Sequence, residues 1–80
     1  MTLKDAKTIL AFADGDMDTR LAANKAGRDP VSFALDLDTI QVRYGINPRS
    51  FYGLHRLVEM AVDCVADYDN KEKEKDNGEN

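Results

Sequence analysis

The chain is short of the residues that build disulfides, metal centres and membrane spans. It has one cysteine, Cys64, and one histidine, His55, among 80 residues. One cysteine cannot form an internal disulfide, and one cysteine with one histidine does not make a zinc site. No run approaches the ~20 apolar residues that span a bilayer, and the N-terminus has no apolar signal core. We therefore expect a soluble cytoplasmic protein that uses no metal and no cofactor.

A cationic excess is also missing. Eleven Lys and Arg stand against fifteen Asp and Glu, which gives a formal net charge of −4. Small DNA-binding domains usually carry the opposite balance, because their cations neutralise phosphates. A chain of this length forms one small domain without a large cleft. No nucleophile is placed by the sequence beside a base, so we expect no enzymatic activity.

Helical periodicity is what the sequence does contain. Apolar residues recur at three- and four-residue spacing between clear start and stop signals, and no strand pattern competes with them. The pattern predicts an all-α domain of four helices, the last of which packs across the second and third and runs to about Tyr68. The predicted starts are Thr2, Asp16 or Asp18, Asp29-Pro30 and Asn47-Pro48, and the predicted stops are Asp14-Gly15, Gly27 and Gly45.

The third predicted helix carries an apolar stripe that indicates a core face. The stripe consists of Phe33, Leu37, Ile40 and Tyr44, and Val31, Leu35 and Val42 flank it. The helical pattern then places Asp29, Ser32, Asp36, Thr39 and Arg43 on the opposite face. We expect an outward surface that is more acidic than basic.

The C-terminal segment, residues 69–80, contains no apolar residue and carries three Lys against five acids. A segment without apolar side chains contributes nothing to a core. We expect a disordered, acidic tail. Alternatively, its alternating Lys and Glu extend the fourth helix through charge pairs.

The spacing between residues 17 and 37 is typical of a helix-turn-helix unit. Ala23 supplies the small residue of the first helix, Gly27 lies at the turn, and Phe33 occupies a buried position of the second helix. The same spacing also occurs in generic helical hairpins. Asp14 to Asp18 resembles the start of a calcium loop, but Thr19 and Lys25 stand where that loop needs glycine and glutamate.

A longer match favours the helix-turn-helix interpretation. The run from Thr39 to Arg49 resembles the end of the C-terminal helix-turn-helix domain of purine-catabolism and sugar-diacid regulators, the PucR/CdaR type. Ile40, Gly45, Ile46, Asn47 and Pro48 match that pattern in order and spacing, and the similarity extends over most of residues 3–61. The resemblance implies a helix-turn-helix domain over residues 1–68 and the function of a bacterial DNA-binding transcription regulator.

The chain departs from that family where the duplex contacts lie. The family's polar and basic signature is replaced by Asp29-Pro30-Val31-Ser32 and by Leu35-Asp36-Leu37. We therefore expect weak or altered binding to duplex DNA. The residues predicted to contact it are Lys25, Arg28, Ser32, Thr39 and Arg43. The alternative is a protein-interaction module that has lost DNA binding and uses its acidic third helix or its apolar fourth helix.

The fourth helix offers apolar residues beyond its main stripe, namely Phe51, Tyr52, Met60 and Cys64. They predict an interface with a protein partner or with a second copy in a homodimer. Alternatively, these residues are buried by the other three helices.

Overall fold

The computed structural model describes the backbone of residues 1–79 and the side chains of residues 1–70. It contains four helices and, within those residues, no strand, which confirms the predicted all-α class. The helices are α1 (Leu3–Asp14), α2 (Thr19–Ala26), α3 (Pro30–Tyr44) and α4 (Phe51–Glu79).

Local start and stop signals act largely as predicted. The side chains of Thr2, Asp18 and Asp29 accept hydrogen bonds from backbone N–H groups in the first turns of α1, α2 and α3. Gly27 and Gly45 end α2 and α3 in the left-handed conformation, each with φ of 67°. The predicted caps therefore fix the bounds of the first three helices.

The start of α4 differs from the prediction. Asn47 and Pro48 lie in a turn before the helix, where the Asn47 side chain accepts from the N–H of Arg49 at 3.0 Å. Ser50 accepts from the N–H of Gly53 instead, at 3.3 Å, and α4 begins at Phe51. A β-carbon on Gly53 would lie 1.9 Å from the carbonyl oxygen of Asn47, so this close crossing requires glycine.

Helix α1 is the centre of the fold, because it contacts each of the other three helices. Its residues Ala6, Ile9 and Phe12 are fully buried. They meet Ala22 and Ala23 of α2, the stripe of α3 and the inner face of α4 in one core.

The predicted packing of α4 across α2 and α3 is wrong. Within residues 1–79, α4 makes no close backbone contact with either helix and lies along α1 instead. The reason is that Leu54, Leu57 and Ala61 face α1, whose apolar residues cover more than one side of that helix.

The end of α4 lies beyond the predicted position at Tyr68. Asp69 and Asn70 are still helical and exposed, because no glycine or proline interrupts the chain there. The rest of the predicted tail, residues 71–80, lies outside the residues whose side chains are described.

Candidate functional site

The turn between α2 and α3 is held by Arg28. Its guanidinium donates to the carboxylate of Asp36, and its Nη1 donates to Oγ1 of Thr8 on α1 at 3.0 Å. The guanidinium also lies over the ring of Phe33, 5.1 Å from the centroid. Lys4 approaches the second oxygen of Asp36 at 3.8 Å. Arg28 therefore links the α2–α3 turn to α1 and α3, and its side chain is directed toward those two helices.

A second network joins the ends of α1 and α3. Asp5 is buried, and its Oδ2 accepts from Arg43 Nη1 at 2.5 Å and from the Tyr44 hydroxyl at 2.7 Å. Burial by itself raises the pKa of Asp5, but hydrogen bonds with Tyr44, Thr2 and Arg43 outweigh it and hold the pKa below its ordinary value of 3.8. Burial and the bond to Asp5 raise the pKa of Tyr44. The Arg43 cation is thus committed to a carboxylate of α1.

Each carboxylate predicted to make the α3 surface acidic has a partner within the protein, while Asp29 and Asp38 remain exposed. Asp29 caps the helix, Asp36 binds Arg28 and Lys4, and Asp38 pairs with Arg49 at 2.8 Å. Asp36 and Arg43, which bind Lys4 and Asp5 of α1, lie on the flank of α3 that faces α1, not opposite the core. The sequence pattern failed here because it showed charges on a helix without showing which distant residues bind them.

The face of α3 opposite its core stripe carries three exposed aliphatic residues and one carboxylate, Asp38. Val31, Leu35 and Val42 are 68%, 60% and 86% exposed. Together with Asp38 they follow the spacing i, i+4, i+7 and i+11, which is the spacing of the buried stripe. A shallow groove of about 730 Å³ beside this stripe is lined by Leu35 and Val42 together with Asp38, Thr39 and Arg43. The sequence contained this signal, because α3 carries two apolar stripes, of which the core covers one.

The residues predicted to contact DNA do not form one open cationic surface. Arg28 and Arg43 are ion-paired, and Lys25 lies 3.7 Å from the Asp14 carboxylate. Ser32 is exposed, and the Thr39 hydroxyl donates to the carbonyl of Leu35 at 3.0 Å. The three cations are therefore distributed over two sides of the α2–α3 pair, each with a carboxylate partner.

The predicted interface residues of α4 separate into different surfaces. Phe51 and Tyr52 are 80% and 82% exposed, but successive helical positions point about 100° apart. Phe51 lines a groove beside the α1–α2 turn. Met60 and Cys64 line another, with Met1 and Leu3, where the Cys64 thiol contacts the Met1 carbonyl oxygen at 3.1 Å. The structure therefore brings Met60 and Cys64 together and leaves Tyr52 apart from both grooves.

The described residues contain neither a candidate metal site nor a helix that could span a membrane. Across that part of the chain, no three side chains of His, Cys, Asp or Glu are grouped so that they could hold a metal ion. His55 lies 3.2 Å from Glu59 on the same helix. None of the helices within residues 1–79 combines the length and apolar character needed to span a bilayer.

Comparison with known proteins returns no relative. No protein-family model matches the chain, and no curated protein or solved structure is detectably similar to it. The surfaces of α3 and α4 are therefore the basis for the functional proposals.

Proposed function

We propose that this chain is a protein-interaction module in which α3 inserts its outward face into an apolar groove of a partner protein. The observation that supports the proposal is the exposed stripe of Val31, Leu35 and Val42. A helix that binds in a groove presents apolar anchors at one-turn and two-turn spacing. Val31 and Leu35 have this spacing, and Val42 extends the stripe two turns further.

The connection between α2 and α3 is as short as in a helix-turn-helix unit. α2 and α3 contact each other, and only Gly27, Arg28 and Asp29 connect them. In such a unit α3 would be the recognition helix. Its outward stripe consists of three aliphatic residues and Asp38, where a reader of DNA bases presents several hydrogen-bonding side chains.

The fixed cations further favour a protein partner over DNA. Binding of Arg28 or Arg43 to a phosphate requires the loss of its present bond to Asp36 or Asp5. The freed carboxylate would then lie near the phosphate and repel it. A net charge of −4 supplies no compensating attraction at longer range.

The small area of the stripe limits the expected affinity for a partner protein. Fully burying a valine or leucine contributes about 1.5–3 kcal/mol, and these side chains are already partly covered. Three such residues cover less than the ~800 Å² that each partner buries in a standard interface. We expect a transient interaction whose affinity depends mainly on Leu35 and Val42.

Photo-crosslinking in the native cell tests this proposal. A photoreactive amino acid is placed at Val42 in one variant and at Gln41, the exposed neighbour on a different face, in a matched control. We expect a discrete protein adduct from position 42 that mass spectrometry identifies and that position 41 does not give. The substitution Leu35→Lys should abolish that adduct while the circular dichroism spectrum stays unchanged.

Duplex DNA is the second candidate, and the short α2–α3 connection is the observation that favours it. A nucleic-acid adduct at position 42, or equal protein adducts at positions 41 and 42, would contradict the proposal. The first outcome would restore the DNA-binding interpretation. The second would show that α3 has no specific partner.

A further inference from the structure

A second apolar groove, of about 390 Å³, lies between the α1–α2 turn and the first turns of α4. Ala13 and Met17 form one wall, and Phe51 and Val58 form the other. This groove is separate from the α3 stripe, since α4 lies along α1 and makes no close backbone contact with α3 in the part of the chain described. It therefore offers a binding surface that the proposed function leaves unused.

The groove continues as a strip along α4. Val62 is exposed, and Val58 and Val62 follow Phe51 at positions i+7 and i+11, on the same side of the helix. At 1.5 Å per residue this strip is about 16 Å long, which corresponds to three turns of a helix. The dimensions suit an amphipathic helix laid beside α4, with Phe51 as the most exposed anchor.

The turn at the end of α1 presents Met17 to this groove. Asp16 and Met17 have positive φ values of 55° and 63°, which side-chain-bearing residues seldom adopt. The Met17 side chain is half-buried against the core and lines the groove wall. A flexible thioether adapts to different apolar side chains of a bound helix.

The charges around the groove select the chemistry of the occupant. Asp16 lines the groove directly, Asp14 and Asp18 flank it in the chain, and Glu59 lies beside His55. The basic residues near these positions in the chain are Lys25, which is paired with Asp14, Arg20 on α2 and Arg56 on α4, and the His55 imidazole lines the groove. The rim therefore has an acidic excess, and a partner with Lys or Arg beside its apolar stripe complements it.

Two other occupants fit less well. The chain's own residues 71–80 contain no apolar side chain to enter the groove. A second copy paired symmetrically would bring two acidic rims against each other. We propose that this groove binds a basic amphipathic helix of a partner protein.

A pair of synthetic helical peptides tests the proposal on the full chain. One peptide is built from leucine and lysine in an amphipathic pattern, and the other has glutamate in place of each lysine. Titration followed by NMR should show that the lysine peptide shifts the amides of residues 13–18 and 51–62. The glutamate peptide should bind at least about tenfold more weakly, since its charges match those of the rim.

Matched variants assign the binding to the groove. Phe51→Ala should weaken lysine-peptide binding by about tenfold or more, as expected for an aromatic anchor. Tyr52→Ala removes an equally exposed aromatic from the neighbouring face and should change binding less than twofold. Asp16→Asn keeps a residue that tolerates positive φ and should weaken binding by a few-fold through charge alone.

Several results would overturn the proposal. These are equal binding of both peptides, shifts confined to α3, or equal losses from Phe51→Ala and Tyr52→Ala. Light scattering of the free chain addresses the remaining occupant. A dimer that Phe51→Ala dissociates would assign the groove to a second copy instead of a basic helix.

Discussion

Arg28, in the turn before α3, donates a hydrogen bond to the carboxylate of Asp36 two turns into that helix. This pairing changes the meaning of both residues. Arg28 is predicted to contact DNA phosphates, and Asp36 is predicted to make the helix surface acidic. In the structure each neutralises the other at the side of α1, and the outward stripe of α3 consists of three aliphatic residues and Asp38.

Loss of this pair should destabilise the fold. Asp36→Asn removes the negative charge that Arg28 and Lys4 share, while the side chain keeps its size. Both partners of the main pair are less than a third exposed, so we expect the free energy of unfolding to fall by about 1–2 kcal/mol. Urea denaturation followed by circular dichroism measures this change.

Asp38→Asn is the matched control for that experiment. Asp38, on the same helix as Asp36, pairs with Arg49 of the α3–α4 turn, but the Asp38 side chain is largely exposed. An exposed pair contributes about 0–1 kcal/mol, so the control should lose less stability than Asp36→Asn. Equal losses would show that the Arg28–Asp36 pair is no more than an ordinary surface ion pair.

Acid should weaken the junction between α1 and α3. The folded-state pKa of Asp5 lies below its ordinary value of 3.8, so the folded state favours the ionised carboxylate. The stability from this group is fully present above the unfolded-state pKa. It is lost as the pH falls through the folded-state pKa. Unfolding free energies measured from pH 6 down to about pH 2 should therefore decline below about pH 4.

Tyr44→Phe separates Asp5 from the other carboxylates in that titration. The substitution removes one donor to Asp5 and should cost about 0.5–1.5 kcal/mol at neutral pH. It should also move the folded-state pKa of Asp5 upward, which NMR of the carboxyl carbon measures directly. An unchanged Asp5 pKa in Tyr44→Phe would contradict the assigned role of the hydroxyl.

Sequence patterns predicted the elements that depend on near neighbours. The caps at Thr2 and Asp29 and the stops at Gly27 and Gly45 each involve residues within one helical turn, so their signals are local. The apolar spacing of α3 likewise identified Phe33, Leu37 and Ile40 as core residues. The four-helix class follows from those signals alone.

Long-range pairing was beyond the same patterns. Arg43 and Asp5 are separated by 38 positions, and no local rule joins them. The stripe of Val31, Leu35 and Val42 was interpreted as the border of the core, because periodicity gives the faces of a helix without showing which face is covered. The candidate site therefore depends on which face of α3 the rest of the fold covers, and the sequence patterns do not give that.

The crossing of Gly53 and Asn47 should forbid even a methyl group. In an ordinary helix, Gly→Ala gains about 1 kcal/mol. Here the new β-carbon would meet the backbone carbonyl of Asn47, which no rotamer change moves away. We expect Gly53→Ala to destabilise the protein by about 1–3 kcal/mol, as overpacked core substitutions do.

Gly27→Ala should also destabilise the protein, but through backbone strain instead of steric overlap. Gly27 has open space around a β-carbon, but its φ of 67° strains any other residue. This variant should lose about 1–2 kcal/mol through backbone strain alone. Gly27→Asn should recover part of that loss, whereas Gly53→Asn should not recover any. Thermal unfolding of the four variants distinguishes strain from steric overlap, and rescue at position 53 would contradict the close crossing.

Binding to mixed-sequence duplex DNA should be weak and should depend little on the predicted contact residues. Non-specific DNA binding at physiological salt has a Kd of roughly 10⁻⁴ to 10⁻⁶ M, and we expect this chain at or beyond the weak end. Because Arg28 and Arg43 retain their carboxylates, few counterions should be released. The slope of log K against log salt should then correspond to about two phosphates or fewer. Fluorescence anisotropy at several salt concentrations measures both quantities.

Lys25→Gln tests an exposed cation without disturbing the Asp36 or Asp5 networks. Submicromolar binding at physiological salt that Lys25→Gln or Arg43→Gln abolishes would show that DNA displaces these internal bonds, and the protein-interaction proposal for α3 would then fail.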